Sequence, residues 1–310
     1  MRDVAIASFA QATFERSSKD EVELLVDVIT RARAESRLSK SDIGFTCSAS
    51  CDYLGGRPFS FVSALDAVGA WPPISESHVE MDGAWALYEA WVRLQHGDVD
   101  AALVYAFGRS SQGNLNQVLS TQLDPYFLAP LWPEGDSLAG LQARAMIDAG
   151  VCSEDEIGSI ATPRYGDGAA AMVLVAGPLL ERASNAAVIR GIDHRIEAHS
   201  IGARDLTRSS STQLAAEKAG ACRRDVDVAV ACAPYAYQEI LLRRALSLTD
   251  RTRFTFLGGN SVYPYIVAGL SSVGEAFAKI ASGKALSAVA HATSGPCLQQ
   301  NLVCLLEVQP

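Results

Sequence analysis

No apolar run in this chain approaches the ~18 residues that a bilayer-spanning helix requires. Basic charge is scarce as well: 26 Lys and Arg face 35 Asp and Glu, for a net charge of −9. That balance excludes nucleic-acid or anionic-membrane binding as the main activity, because phosphate recognition needs clustered cations. Arg223-Arg224 and Arg243-Arg244 are the densest basic pairs and read as charges on helix faces. Metal-ligand spacing is missing too. Among seven cysteines only Cys47 and Cys51 are close neighbours, and no second pair completes a zinc site. The N-terminus lacks the apolar core of a secretory signal. These absences leave a cytoplasmic chain with reduced, mostly buried cysteines.

The composition is that of an ordinary globular chain: 310 residues, 49% hydrophobic and 20% charged. Short apolar runs alternate with helix-period segments, the pattern of an α/β sheet protein. Strands are expected at 3–8, 44–48, 78–81, 101–106, 170–175, 187–192, 227–231, 288–292 and 302–307. Helices are expected at 19–35, 59–68, 84–95, 137–149, 206–219, 237–247 and 266–281. Gly97 and Gly283 are natural helix C-caps.

An internal echo suggests two similar halves. Arg93–Asp98 followed by Ala101–Tyr105 reappears as Lys279–Lys284 followed by Ser287–His291, at an offset of 186 residues. Asp42–Thr46 is echoed by Asp225–Ala229 at an offset of 183. The division is expected near Gly177–Asn185, giving halves 1–180 and 181–310.

The segment Ser77–Ala86 reads as a strand end running into a helix, with Asp82-Gly83 at the junction. Gly166-Asp167-Gly168-Ala169-Ala170-Ala171 opens another strand. A Gly258-Gly259-Asn260 loop precedes Val262-Tyr263-Pro264. Together with Val68–Ser75 through Trp91, these words resemble the thiolase superfamily. The resemblance spans nearly the whole chain and is nearest to the sterol-carrier-protein type, in particular the bacterial "lipid-transfer proteins" of steroid degradation that lack the nucleophilic cysteine. It implies a five-layered αβαβα fold and an acyl-CoA ligand, with no cofactor and no metal. It also implies a homodimer, or a heterodimer with a second thiolase-like chain, and a small OB-fold partner protein. The region of about 110–165, which helps cover the acyl-CoA in such proteins, is expected to be short here.

The resemblance also points to four positions of chemistry. Gly83 stands where thiolases carry the acyl-accepting cysteine, and is expected to leave space over the helix N-terminus for an acyl group. Asp82 is either that helix's N-cap or a site carboxylate. Tyr263 replaces the histidine of the Gly-His-Pro word. A tyrosine is no base at neutral pH, but it can donate a proton to an enolate or alkoxide. Tyr265 is a weaker candidate beside it. Cys232 replaces a histidine at a strand end, either reactive or buried and inert, and Gln238-Glu239 replaces the following Asn-Glu pair. His291 matches the first residue of the last motif, as a site group or a satisfied core histidine. Amides near Gly83 and Gly295 are the expected thioester donors, with Gly258 and Gly259 shaping the pocket. The implied reaction is a retro-aldol cleavage of a β-hydroxyacyl-CoA, steroid-derived ones included, without an acyl-cysteine. The alternatives are a non-catalytic subunit of a hetero-oligomer, an acyltransferase using other residues, or a lipid-transfer protein.

Overall fold

The structure is a computed structural model describing residues 1–309 except 57, 159, 224 and 260. The Arg223-Arg224 pair and Asn260 of the Gly-Gly-Asn loop therefore fall wholly or partly outside the described residues. The first half of the chain runs β1 (Val4–Phe14), α1 (Glu21–Ser36), β2 (Phe45–Ala49), α2 (Asp52–Gly55), α3 (Phe61–Val68), β3 (Glu76–Val79), α4 (Gly83–His96) and β4 (Ala101–Arg109). Three helices follow, α5 (Leu115–Thr121), α6 (Gly135–Asp148) and α7 (Glu154–Ile157), and then β5 (Arg164–Tyr165) and β6 (Asp167–Ala176). The second half runs β7 (Ala187–Ile196), α8 (Ser210–Ala219), β8 (Val228–Ala233), α9 (Gln238–Ala245), β9 (Arg253–Gly258), β10 (Val262–Tyr263), α10 (Ala268–Ala281), β11 (Ser287–Ser294) and β12 (Gln300–Val308).

Ten strands form one sheet in the order β3-β2-β4-β6-β1-β7-β12-β11-β8-β9, and β5 pairs with β10 in a second, two-stranded sheet. Read outward from the β1/β7 junction, each side has the same arrangement: a long antiparallel neighbour, then parallel strands to the edge. Corresponding elements keep nearly constant offsets. Val4 and Ala187 begin β1 and β7, Phe45 and Val228 begin β2 and β8, and Gly83 and Ala268 begin α4 and α10.

Alternation along the strands explains the layers. On β8, Val228, Val230 and Cys232 face one core, while Ala229, Ala231 and Ala233 face another. The same division on β4 sends Ala102, Val104 and Ala106 toward α4, and Leu103, Tyr105 and Phe107 toward α1 and α3. The three largest apolar cores separate five layers, the two sheet layers being the halves of the long sheet on either side of the β1/β7 pair: α1/α3, sheet, α4/α10, sheet, α8/α9. This is the expected αβαβα architecture. All nine expected strands and all seven helices are present, with β3 two residues earlier than expected. The first turn expected of α8 is loop, with Arg208 exposed and the helix opening at Ser210.

Strand β9 and the short β10, like its partner β5, had no strand reading. β9 carries half-exposed residues, and β10 is a two-residue strand paired with β5. Residues 110–165 are not a bare loop: α6 packs its Ala139, Ala143 and Met146 onto the core beneath Tyr235 and Tyr237. Arg243 pairs with Glu239 at 2.7 Å on the α9 surface, as a helix-face charge should.

The central layer is tight where α4 meets α10. A methyl group on Gly83 would sit 2.7 Å from the Ala106 Cβ and 2.8 Å from the Leu270 Cβ. Gly83→Ala is therefore expected to destabilise the protein by about 1–3 kcal/mol through overpacking, read as a lower midpoint in urea unfolding. An unchanged midpoint would contradict this packing.

Candidate functional site

The N-termini of α4 and α10 converge on one side chain. Asp82 caps α4, its Oδ1 accepting from Ala84 N at 2.8 Å, and its Oδ2 accepts from Gly269 N at 2.7 Å. The first N–H groups of a helix lack intrahelical acceptors, so one carboxylate here serves two buried helix ends. Gly269 must be glycine for this approach, because a methyl there would lie 2.3 Å from the Asp82 Oδ1. Asp82 is only 4% exposed, and burial pushes its carboxyl up to about 7 despite the amide donors.

This geometry corrects two expectations about Gly83. No acyl-sized space lies over it, because Ala106 and Leu270 fill the position a side chain would take. Nor are its amides free: Gly83 N donates to the Ile266 carbonyl at 3.0 Å, and Ala84 N is held by Asp82. The chain's own carboxylate occupies the anion-binding position at this helix end.

Two adjoining cavities lie beside this junction. The inner one, about 50 Å³, is a narrow and largely apolar slot lined by Tyr165, Tyr235, Tyr263 and Tyr265, with Leu138 and Cys297. The outer one, about 430 Å³, is more polar and includes Glu80, Asp82, Glu197 and His199. Tyr265 and the backbone of Thr293–Pro296 belong to the walls of both.

The tyrosines are placed by the short β5/β10 pair. Its register sets Tyr263 against Tyr165, and Gly166 N donates to the Tyr263 carbonyl at 3.1 Å. A side chain on Gly166 would collide with Val262 and the Phe14 carbonyl, so this Gly-Asp-Gly word is a packing requirement. Asp167 anchors the same corner from full burial, accepting from Ser17 N, Ser111 N and the Ser111 hydroxyl. Tyr165 makes edge contacts with Tyr263 (6.2 Å, 73°) and Tyr265 (6.1 Å, 79°). Tyr235 donates to Asp136 Oδ1 at 2.9 Å, and Tyr237 donates to the Ala139 carbonyl at 2.9 Å. Burial raises the Tyr263 phenol well above its ordinary value, with the buried Cys232 and Asp82 adding to the rise. At neutral pH Tyr263 is a proton donor.

The sequence candidates separate accordingly. Asp82, Tyr263, Tyr265 and Gly295 line the cavities. Cys232 is fully buried on the central face of β8, close enough to Tyr263 to hydrogen-bond with it, and burial raises its thiol far above the thiolate range. Gly258 and Gly259 line neither cavity. Both have positive φ (146° and 60°) and turn the chain against Ala233–Ala236 after β9, setting up the approach to Tyr263.

His291 is brought elsewhere. Ala290 and Ala292 face the central layer, so His291 points the opposite way, under α8. There its Nε2 is 2.9 Å from Asn301 Oδ1, and Thr212 Oγ1 lies at 3.4 Å. Burial lowers its pKa to about 4, leaving it a neutral core residue outside both cavities. Gln238 keeps a backbone-holding function, accepting from Tyr235 N at 3.2 Å, whereas Glu239 turns to the surface.

Tyr165 and Tyr235 are cavity residues that the sequence reading missed, as it missed Asp136, which holds the Tyr235 hydroxyl. Tyr165 directly precedes the Gly-Asp-Gly word and could have been found from it. Asp136 carries no comparable signal. Among the described residues, no group of three or more His, Cys, Asp and Glu is placed to hold a metal, and no helix is long and apolar enough to cross a membrane.

This architecture is the thiolase fold. The structure is similar to that of human mitochondrial 3-ketoacyl-CoA thiolase in complex with CoA, with a TM-score of 0.71 and 12% sequence identity, covering 100% of this chain and 98% of that one. No protein-family model matches the sequence, and no curated protein matches it.

The raised carboxyl of Asp82 has a consequence for stability. Its proton is held in the folded state up to about 7, whereas the unfolded chain releases it near 3.8. The stability this contributes is full below 3.8 and is lost as pH rises through about 7. The Asp82→Asn variant is expected to show a shallower fall in unfolding free energy over that window, whatever its offset from the wild type. Parallel pH profiles for the two proteins would refute the assignment.

Proposed function

We propose that the chain is a thiolase-superfamily protein of the sterol-carrier type, with halves 1–180 and 181–310. It cleaves a carbon–carbon bond of a β-hydroxyacyl thioester of the acyl-CoA class without forming an acyl-cysteine. The carrying observation is the pair formed by Asp82, a buried carboxyl with a pKa near 7 in the outer cavity wall, and Tyr263, a protonated phenol in the inner one. The absence of space at Gly83 and the raised thiol of Cys232 both argue against a thiolytic route.

In this reading Asp82 takes the proton of the β-hydroxyl. The hydroxyl oxygen forms a carbonyl as the Cα–Cβ bond breaks, and the bonding pair moves into the thioester enolate. Tyr263 protonates the enolate at Cα, and the proton held by Asp82 returns to the phenolate, so the net change is transfer of one proton from oxygen to carbon. Gly295 is the proposed backbone donor to the thioester oxygen. The apolar inner wall suits a lipid-derived acyl group, a steroid side chain among them.

A second reading keeps the fold and delegates the chemistry. At about 50 Å³ the inner cavity is far below the ~300 Å³ of a typical small-molecule site. A second thiolase-like chain or a small OB-fold partner would then complete it.

The test is release of the carbonyl product from a 3-hydroxyacyl-CoA by the purified chain. Tyr263→Phe and Asp82→Asn are each expected to lower kcat by about 100-fold or more, and Cys232→Ala to leave it within about twofold. In the wild type, kcat/KM is expected to rise with pH through about 7, as Asp82 ionises. Activity that needs a co-purified partner and survives Tyr263→Phe would establish the second reading. Loss of cleavage in Cys232→Ala alone would sink both.

A further inference from the structure

Among the described residues lining the two cavities there is no lysine or arginine. The outer cavity instead presents the carboxylates of Glu80, Asp82 and Glu197, with His199 as its one basic side chain. The stretch that roofs the inner cavity repeats the pattern. From Ser110 through Ala143 the sequence has no Lys, Arg or His, while it includes Asp124, Glu134 and Asp136. Among the side chains this roof exposes are the apolar Tyr126, Phe127, Leu131 and Trp132 beside uncharged polar residues such as Gln117 and Gln122, and Glu134. Arg204 touches the shared wall from behind, but its Nη2 donates to the carbonyls of Pro296 (2.9 Å) and Cys297 (3.2 Å).

Phosphate groups are held by Arg and Lys forks, or by free amides at helix N-termini. Among the described residues the cavity walls supply no such cation, and the buried N-termini of α4 and α10 are already capped by Asp82. A polyanionic handle placed in the outer cavity would face three carboxylates.

Resting on the acyl-thioester reading above, we infer that this site recognises the acyl group and the neutral thioester arm, and not the phosphates of coenzyme A. Its substrate class is a β-hydroxyacyl thioester on any uncharged pantetheine-like arm, the nucleotide of an acyl-CoA lying outside the two cavities without an ionic partner in their walls.

The test measures equilibrium binding by calorimetry, independently of turnover, for three probes. They are a 3-hydroxyacyl-CoA, the matching 3-hydroxyacyl N-acetylcysteamine thioester, and free CoA, at low and high sodium chloride. The two thioesters are expected to bind within about threefold of each other, with free CoA weaker than either by about 100-fold and less than about twofold change with salt. A CoA ester that binds about tenfold or more tighter than the truncated thioester, or loses that much affinity in high salt, overturns the inference. Equal binding of both thioesters without cleavage upholds it while the lyase reading falls. Failure of both thioesters to bind removes both.

Discussion

The centre of this protein depends on one carboxylate shared between two helix ends. α4 and α10 bring their N-termini together inside the central layer, where unpaired N–H groups and like-signed helix-dipole ends would otherwise meet. Asp82 resolves both problems, accepting from Ala84 N and Gly269 N. The contact requires close backbone approach, which explains glycine at 83 and at 269: each lacks space for even one methyl. Burial of the charge opposes the arrangement, and the raised carboxyl of Asp82 shows that desolvation outweighs the pull of the amides.

The same joint accounts for where chemistry is and is not available. A nucleophile cannot be returned to position 83 without displacing Leu270 or Ala106, and the amides that would polarise a thioester there are occupied. The polar groups beside the joint are in the cavity walls, where Asp82 and a group of tyrosines line the two chambers. Their pKa values diverge for one physical reason: burial favours the neutral form of both, which leaves a carboxyl titrating near neutrality and a phenol that stays protonated.

Much of the scaffold was legible in the sequence because its signals are local. Alternating apolar runs marked nine of the strands, and helical spacing marked the seven longer helices, since each buries a regular face. The Gly-Asp-Gly word at 166–168 marked a real corner, where Asp167 ties Ser17 and Ser111 together. Strand β9 was missed because its half-exposed edge lacks that contrast. Within the site, Tyr263, Tyr265, Gly295 and Asp82 were identified as candidates by their neighbours in sequence. Tyr165 and Tyr235 were not, because only the pairing of β5 with β10 and the docking of α6 bring them to the same cavity.

What the sequence determined by itself is the alternation of strands and helices that bury a regular face, and the absence of a cysteine at the central helix start, since these follow from periodicity and from the residues written there; the layering came from the resemblance. What only the tertiary structure decided is the direction in which each polar side chain points. His291 and Cys232 both sit on buried strands of the second half, yet strand alternation sends His291 under α8 and Cys232 toward Tyr263. Asp82 read first as a helix cap and second as a site carboxylate. The convergence of two helices makes it the cap of both, because a residue local to one helix end meets a second end 187 positions away.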